Sequence, residues 1–219
     1  MAFATDTFPA PTSRRLVADA IHREDAGALA AHNLTAPGHL RFRDHLGPLP
    51  FEGSIATAPI VLLDLQPPLA DDITREDYAF EHAGWPLAAL HPDAPPGLRR
   101  VWESRLGDLR GFFGAQHLAN SIVSLHLVPW AGAHADEDLR LPSRERMLSL
   151  AAHTARRGAF LVFVRGEEQW IDDPDVASSL PSRRCRTRSQ TSADMSVANL
   201  GTPAWDVIRM RIAIHDWQR

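Results

Sequence analysis

Four groups of residues in this chain have types and spacings that could do chemistry. Gln66-Pro67-Pro68 follows the apolar run 60–65, with Asp71 and Asp72 close behind. Neither proline can donate to a strand ladder, so the run stops there. The Gln66 amide can hold a water but cannot act as a general base, whereas Asp71 could help position an attacking water. The second group is His126, inside the run 121–128, with Trp130 just beyond Pro129. Third come Arg184, Arg186 and Arg188, which alternate and so share one face of an extended segment. Such a face suits phosphates, or it guards a sheet edge against pairing. The fourth group is the loop that follows, rich in hydroxyls and amides: Ser189, Ser192, Ser196 and Asn199.

Each of these has an ordinary structural explanation beside the functional one. A histidine in an apolar strand is more often a hydrogen-bonded core residue than a reader of ligands. Asp71 and Asp72 could serve as charges near a helix N-terminus. Asp64 interrupts a buried strand, where an unpaired carboxylate would cost several kcal/mol, so it must find a partner such as an arginine or a backbone nest. His134, Asp136 and Glu137 are metal-ligand types, but without a second spaced pair they read as a solvated loop, and no metal is expected. Tyr78, Phe80, Trp85 and Trp130 could stack a base, although most aromatics of this kind are core. Phosphate-cradling glycine loops, the G-x-S-x-G elbow and paired C-x-x-C motifs are absent from the sequence, and no cofactor is expected.

Several elements must hold these groups. The run 60–65, S-I-V-S-L-H-L-V at 121–128 and A-F-L-V-F-V at 159–164 read as strands, the first and third buried on both faces. R-R-C-R-T-R at 183–188 reads as a fourth strand, at an edge because its arginine face cannot be covered. Helical spacing covers 14–33, 98–118 and 144–157, with Ser13 and Ser143 as candidate caps, and Thr202-Pro203 opens a last helix. Gly27 lies within the first pattern and weakens it. The segment 48–53 reads as an extended lead-in.

This alternation implies an α/β fold: a three-layer αβα sandwich around a four-stranded parallel sheet, ordered 2-1-3-4 by strand number in the chain. At 219 residues with 44% hydrophobic content, the chain can bury one full core, so 1–219 reads as a single domain with 1–35 as an N-terminal extension and helix. A net charge of -4 argues against wholesale electrostatic binding of nucleic acid but permits a local basic face. Every basic side chain besides histidine is arginine. The single cysteine, Cys185, rules out an internal disulfide and fits a reducing, cytoplasmic setting. No apolar run approaches a membrane span, so no membrane partner is expected.

The order P-F-x-G, A-P-I-V-L-L-x-L-x-P, N-S-I-V-S-L-H-L-V-P-W, F-L-V-F-V-R-G and a Ser/Asn-rich loop, across residues 48 to 210, resembles the uracil-DNA glycosylase superfamily. The resemblance implies an αβα fold and DNA or a nucleotide as partner. It also implies hydrolysis of an N-glycosidic bond to a base flipped from DNA. By position, Gln66 and Asp71 would hold the water, while Phe80, His126 and Trp130 would bind the base. Arg184, Arg186, Arg188, Ser189, Ser192, Ser196 and Asn199 would contact the nucleic acid. The departures are informative. Gln66 stands where the family has Asn or Asp, Pro68 replaces a glycine, His126 replaces a base-reading Asn, and no His-Pro-Ser occurs. Uracil is therefore disfavoured and a modified or other base is expected. Two alternatives remain: an inactive relative that binds nucleic acid or a nucleotide, and an unrelated α/β enzyme acting on a small molecule through Asp64, Asp71 or the histidines.

Overall fold

The computed structural model describes residues 13–70, 72–132, 139–179, 181–189 and 192–217. In chain order the elements begin with α1 (Arg14–Thr35), β1 (Phe51–Glu52), β2 (Ile60–Asp64), α2 (Arg75–Tyr78) and α3 (Pro96–Arg110). Next come α4 (Ala115–Ser121), β3 (Ile122–His126), α5 (Arg144–Arg156), β4 (Phe160–Phe163) and α6 (Glu167–Trp170). The chain then forms α7 (Pro174–Ala177), β5 (Arg184–Arg186), α8 (Val197–Leu200) and α9 (Thr202–Trp217).

The strands form one mixed sheet in the order β1-β3-β2-β4-β5. β2 pairs in parallel with β3 and β4, and β4 with β5, while β1 runs antiparallel to β3. The expectation of a four-stranded, all-parallel sheet is thus corrected to five strands. The lead-in 48–53 contains β1, whose Phe51 and Glu52 face Leu125 and Ser124. Two residues are too few to show alternation, so this strand has no period-two signature. Gly53 makes the pairing possible: at φ 107 its backbone passes so close to β3 that a Cβ would lie 2.4 Å from the Ile122 carbonyl oxygen. β5 stands at the opposite edge, as its arginine face requires.

Alternation divides the sheet between two apolar layers. Ile60, Leu62, Ile122, Phe160 and Val162 pack on the α3, α4 and α9 side, with Trp102, Leu106, Leu118, Ile208 and Ile212. Val61, Leu63, Val123, Leu125, Leu161 and Phe163 pack on the other, with Val17, Ile21 and Leu29 of α1 and Met147 and Leu150 of α5. Helices therefore cover both faces, which is why the central strands read as continuous apolar runs.

Three local expectations change. α1 runs unbroken through Gly27, an exposed position whose flanking turns bury Ile21, Asp25 and Leu29. The helical pattern 98–118 splits into α3 and α4 around Gly111 and Gly114, and Phe112 is 57% exposed between them. Ser143 precedes α5 but makes no capping bond; its amide and hydroxyl both donate to Asp25, at 2.9 and 2.6 Å. Those two bonds tie the start of α5 to α1 across the second core layer.

Candidate functional site

The carboxyl ends of β2, β3, β4 and β5 lie along one margin of the sheet, where α/β proteins place their ligands. Asp64 ends β2 there with no exposed surface. Arg105 Nη2 of α3 donates to it at 2.9 Å, and Arg165 beyond β4 donates through Nε at 2.7 Å and Nη2 at 3.0 Å. The Leu65 amide supplies a further bond at 2.8 Å. Burial acts to raise the Asp64 pKa, but the Arg105 and Arg165 guanidinium groups outweigh it and hold the carboxylate below its ordinary value. Asp64 is thus the partnered carboxylate the buried strand demanded, and it is closed off from substrate.

His126 pairs with Asp64 across β3 and β2 and is also fully buried. Its Nδ1 lies 2.7 Å from the Leu49 carbonyl, which accepts only if Nδ1 carries the proton, and Nε2 lies 3.3 Å from the Ser124 hydroxyl. Burial pushes the ring down to about 4 against the opposing pull of Asp64 and the Leu49 bond, so it is neutral at physiological pH. Both nitrogens serve the fold, which leaves His126 no free edge with which to read a base in this arrangement. Glu52, on the same sheet face, accepts from Trp102 Nε1 at 3.0 Å. Its burial raises its pKa against the pull of Arg14, the Trp102 bond and Arg105.

Gln66 is buried just past β2, and its Nε2 donates to the Trp130 carbonyl at 3.4 Å. Trp130 is itself core: its Nε1 donates to Asp25 at 2.8 Å and its ring lies 5.8 Å from that of His22. Phe80 is half-buried, with its carbonyl accepting from Arg14 at 2.7 Å. The Tyr78 hydroxyl donates to the Pro68 carbonyl at 2.6 Å, fixing the turn after Gln66. Asp72 pairs with Arg100 at 2.6 Å, while Thr74 and Asp77 form the capping box of α2, so Asp72 is not the charge at that helix start. Asp71 and the segment with His134, Asp136 and Glu137 lie outside the described residues. Among the described residues no group of three or more metal-ligand side chains comes together.

Of the expected interface residues, Arg186, Arg188 and Ser189 border one cavity, and Arg184, Ser192, Ser196 and Asn199 do not line it. A cavity of about 660 Å³ opens past β4 and β5, lined by Leu65, Phe163, Arg165, Glu167, Arg186 and Arg188 among others. Gly166, at φ 68, turns the chain into α6 at its wall, where a Cβ would fall 2.2 Å from Leu65 Cδ2. Arg186 is exposed and sits 3.8 Å from Glu167, too far for a tight pair. Arg188 is exposed, with Nη1 3.3 Å from the Ala198 carbonyl. Arg184 is half-buried and donates to the Ala177 carbonyl at 2.9 Å, so it braces β5 against α7. Cys185 points to the opposite face, where burial, helped by Glu167, pushes its thiol up to about 12. A thiol held that high is a poor nucleophile at neutral pH.

Asn199 organises the loop that carries these groups. Its Oδ1 accepts from the Ser189 amide at 2.8 Å, and its Nδ2 donates to the carbonyls of Ser192 at 3.2 Å and Asp194 at 2.8 Å. Ser196 caps α8 by accepting from the Asn199 amide at 3.2 Å and donates to Asp194 at 2.5 Å. Ser192 also bonds Asp194, and its amide donates to Ser189 Oγ at 2.9 Å. Asn199 is therefore a buried support of the loop and not a surface that a ligand touches.

Arg105, Glu52, Trp102 and Asp25 carry the polar interior, and none was singled out from the sequence. Two of them left a signal. Asp25 continues the i+4 series Val17, Ile21, Asp25, Leu29, and Arg105 lies on the buried stripe of α3 with Trp102, Leu106 and Leu109. A charge on an otherwise apolar stripe signals a buried partner. Against known proteins, no family model matches this chain and no curated protein matches it.

Proposed function

We propose that the protein binds nucleic acid at the carboxyl ends of β2, β4 and β5, as a divergent αβα relative of the uracil-DNA glycosylase superfamily. The motif order from P-F-x-G through the Ser/Asn-rich loop supports the kinship. The cavity of about 660 Å³ bordered by Arg186 and Arg188 carries the binding reading. These two cations are exposed and weakly committed, Arg186 at the end of β5 and Arg188 just beyond it in the loop that Asn199 holds in shape. Guanidinium groups held this way match phosphate oxygens. Binding is favoured over hydrolysis because the described carboxylate and imidazole at the strand ends, Asp64 and His126, are buried and fully engaged.

The test is fluorescence anisotropy with single-stranded and duplex oligonucleotides over a range of salt. Replacing Arg184, Arg186 and Arg188 together by Ala should weaken binding and lower the salt slope by about 0.9 for each duplex phosphate that is no longer neutralised. An unchanged slope, or a parent protein that binds neither form at low salt, would refute the reading.

A second reading, hydrolysis of the N-glycosidic bond of a modified or non-uracil base, is favoured by Gln66. Its amide stands at the end of the central strand, oriented by the Trp130 carbonyl, and an oriented amide can hold a water. A panel of modified-base oligonucleotides assayed for abasic product tests it. Gln66→Ala should then lower the rate far more than the affinity, because a positioned water matters chiefly in the transition state. Absence of abasic product with every base leaves the binding reading alone.

A further inference from the structure

A second cavity, of about 610 Å³, lies on the far side of the molecule from the β5 loop. Its residues Pro48 and Leu49 lead into β1, whereas the first cavity follows β5, and four strand spacings separate those two edges. At about 4.8 Å per spacing, the two sites stand roughly 19 Å apart. The second is built from α1, the turn before β1 and the segment around α2.

Floor and rim differ sharply in chemistry. Leu46, Leu49 and Tyr78 form the floor and are 3%, 2% and 5% exposed. The rim carries four arginines, Arg14, Arg15, Arg23 and Arg75, against two carboxylates, Asp19 and Glu81. Arg14 and Glu81 are spent on each other at 3.3 Å. The guanidinium groups of Arg15, Arg23 and Arg75 make no hydrogen bond or ion pair with any described residue, and among the lining residues only Asp19 stands against them. Three cations facing one anion leave a local excess of two positive charges, on a chain whose net charge is -4. The volume falls within the range of small-molecule sites.

We infer that this cavity binds a phosphate monoester whose apolar or aromatic body rests on Leu46, Leu49 and Tyr78 while Arg15, Arg23 and Arg75 hold its phosphoryl oxygens. A phosphate monoester carries close to two negative charges at neutral pH, which matches the excess on the rim. Guanidinium groups bind its oxygens in bidentate fashion. The apolar floor accounts for selectivity over inorganic phosphate, which could gain nothing from it. The same chemistry is offered by a free nucleotide and by the phosphorylated end of a nucleic-acid strand. This site stands or falls independently of the nucleic-acid reading at β5.

Isothermal titration of the full chain with phenyl phosphate, inorganic phosphate and phenol tests the inference. Phenyl phosphate should bind, inorganic phosphate should bind more weakly, and phenol should give no measurable heat. The double variant Arg15→Ala, Arg75→Ala should lose about tenfold or more in affinity for phenyl phosphate. Its far-ultraviolet circular dichroism should be unchanged, because both side chains are exposed. The pair Arg110→Ala, Arg156→Ala, exposed and outside both cavities, serves as control and should leave that affinity unaltered. Adenosine monophosphate and a terminally phosphorylated oligonucleotide, set against its hydroxyl-ended counterpart, separate the two sources. Equal binding of nucleotide and phosphorylated strand assigns the site to free monoesters, and preference for the strand assigns it to strand ends. No binding of phenyl phosphate at millimolar concentration, or full binding retained by the double variant, overturns the inference.

Discussion

Arginine meets acid at the ends of both β2 and β5, and the two places use it oppositely. At β2, Arg105 and Arg165 converge on Asp64, which has no exposed surface, and every oxygen of that carboxylate is bonded. At β5, Arg186 stands 78% exposed and only loosely near Glu167. One pairing is a strut built on a buried carboxylate, reaching water only through Arg165 at the cavity wall, and the other leaves a cation for a partner. The lesson is that residue type and strand-end position do not identify a site. Burial decides, because an ion pair removed from water must be satisfied internally, whereas an exposed one costs little to exchange for a ligand.

The largest effect that would test this contrast is removal of the strut. Asp64→Ala leaves Arg105 and Arg165 facing each other without the anion between them, and should destabilise the fold by about 3–5 kcal/mol in denaturant unfolding. A loss below about 1 kcal/mol, the worth of a surface pair, would erase the distinction between the two ends.

His126 gives the next effect, through pH. Its unfolded value is near 6.5 and its folded value is about 4. Between those values the unfolded chain takes up a proton that the folded ring refuses, so stability falls as pH drops from about 6.5 and levels below about 4. The loss accumulates to about 3 kcal/mol. Asp64 adds its own loss only at more acid pH, because its folded value lies below the ordinary 3.8. Urea unfolding midpoints across this range should show the slope, and His126→Gln should flatten it. A slope left unchanged by His126→Gln would mean that the ring is not sealed, since Glu52, whose raised pKa makes stability rise as pH falls, acts on both proteins alike.

Asn199 comes third, as the internal support of the exposed end. Asn199→Ala removes the bonds to Ser189, Ser192 and Asp194 and should cost about 1–3 kcal/mol. It should also weaken oligonucleotide binding although the side chain is buried, because the loop loses its fixed shape. Loss of stability with binding untouched would separate the loop from the interface.

The smallest change in stability belongs to the exposed arginines themselves. Arg186→Ala with Arg188→Ala should shift unfolding by no more than about 0.5 kcal/mol for each residue. A cost comparable with that of Asp64→Ala would make the β5 end a second strut and withdraw it as a binding surface.

Much of the architecture was legible along the chain. The apolar runs at 60–65, 121–128 and 159–164 and the arginine alternation at 183–188 all mark strands that form, and the β5 edge follows from its charged face. β1 was not legible, because two residues carry no period and its existence depends on Gly53 letting it lie against Ile122. Of the candidate site, the cationic groups at Arg186 and Arg188 stand where their pattern put them, at the exposed end of an edge strand. Gln66, His126 and Trp130 share the strand ends as expected, but with their polar atoms turned to the main chain and to Asp25.

Local pattern was enough for strands, helices and the need of Asp64 for a partner, since periodicity and the cost of a buried charge are properties of neighbouring residues. Which arginines would answer that need lay beyond it. Arg105 and Arg165 stand 41 and 101 residues from Asp64, and only the packing of α3 and β4 around β2 brings them together. The same packing closes His126 and leaves Arg186 in water, because burial is a property of the assembled layers and is written at no single position of the chain.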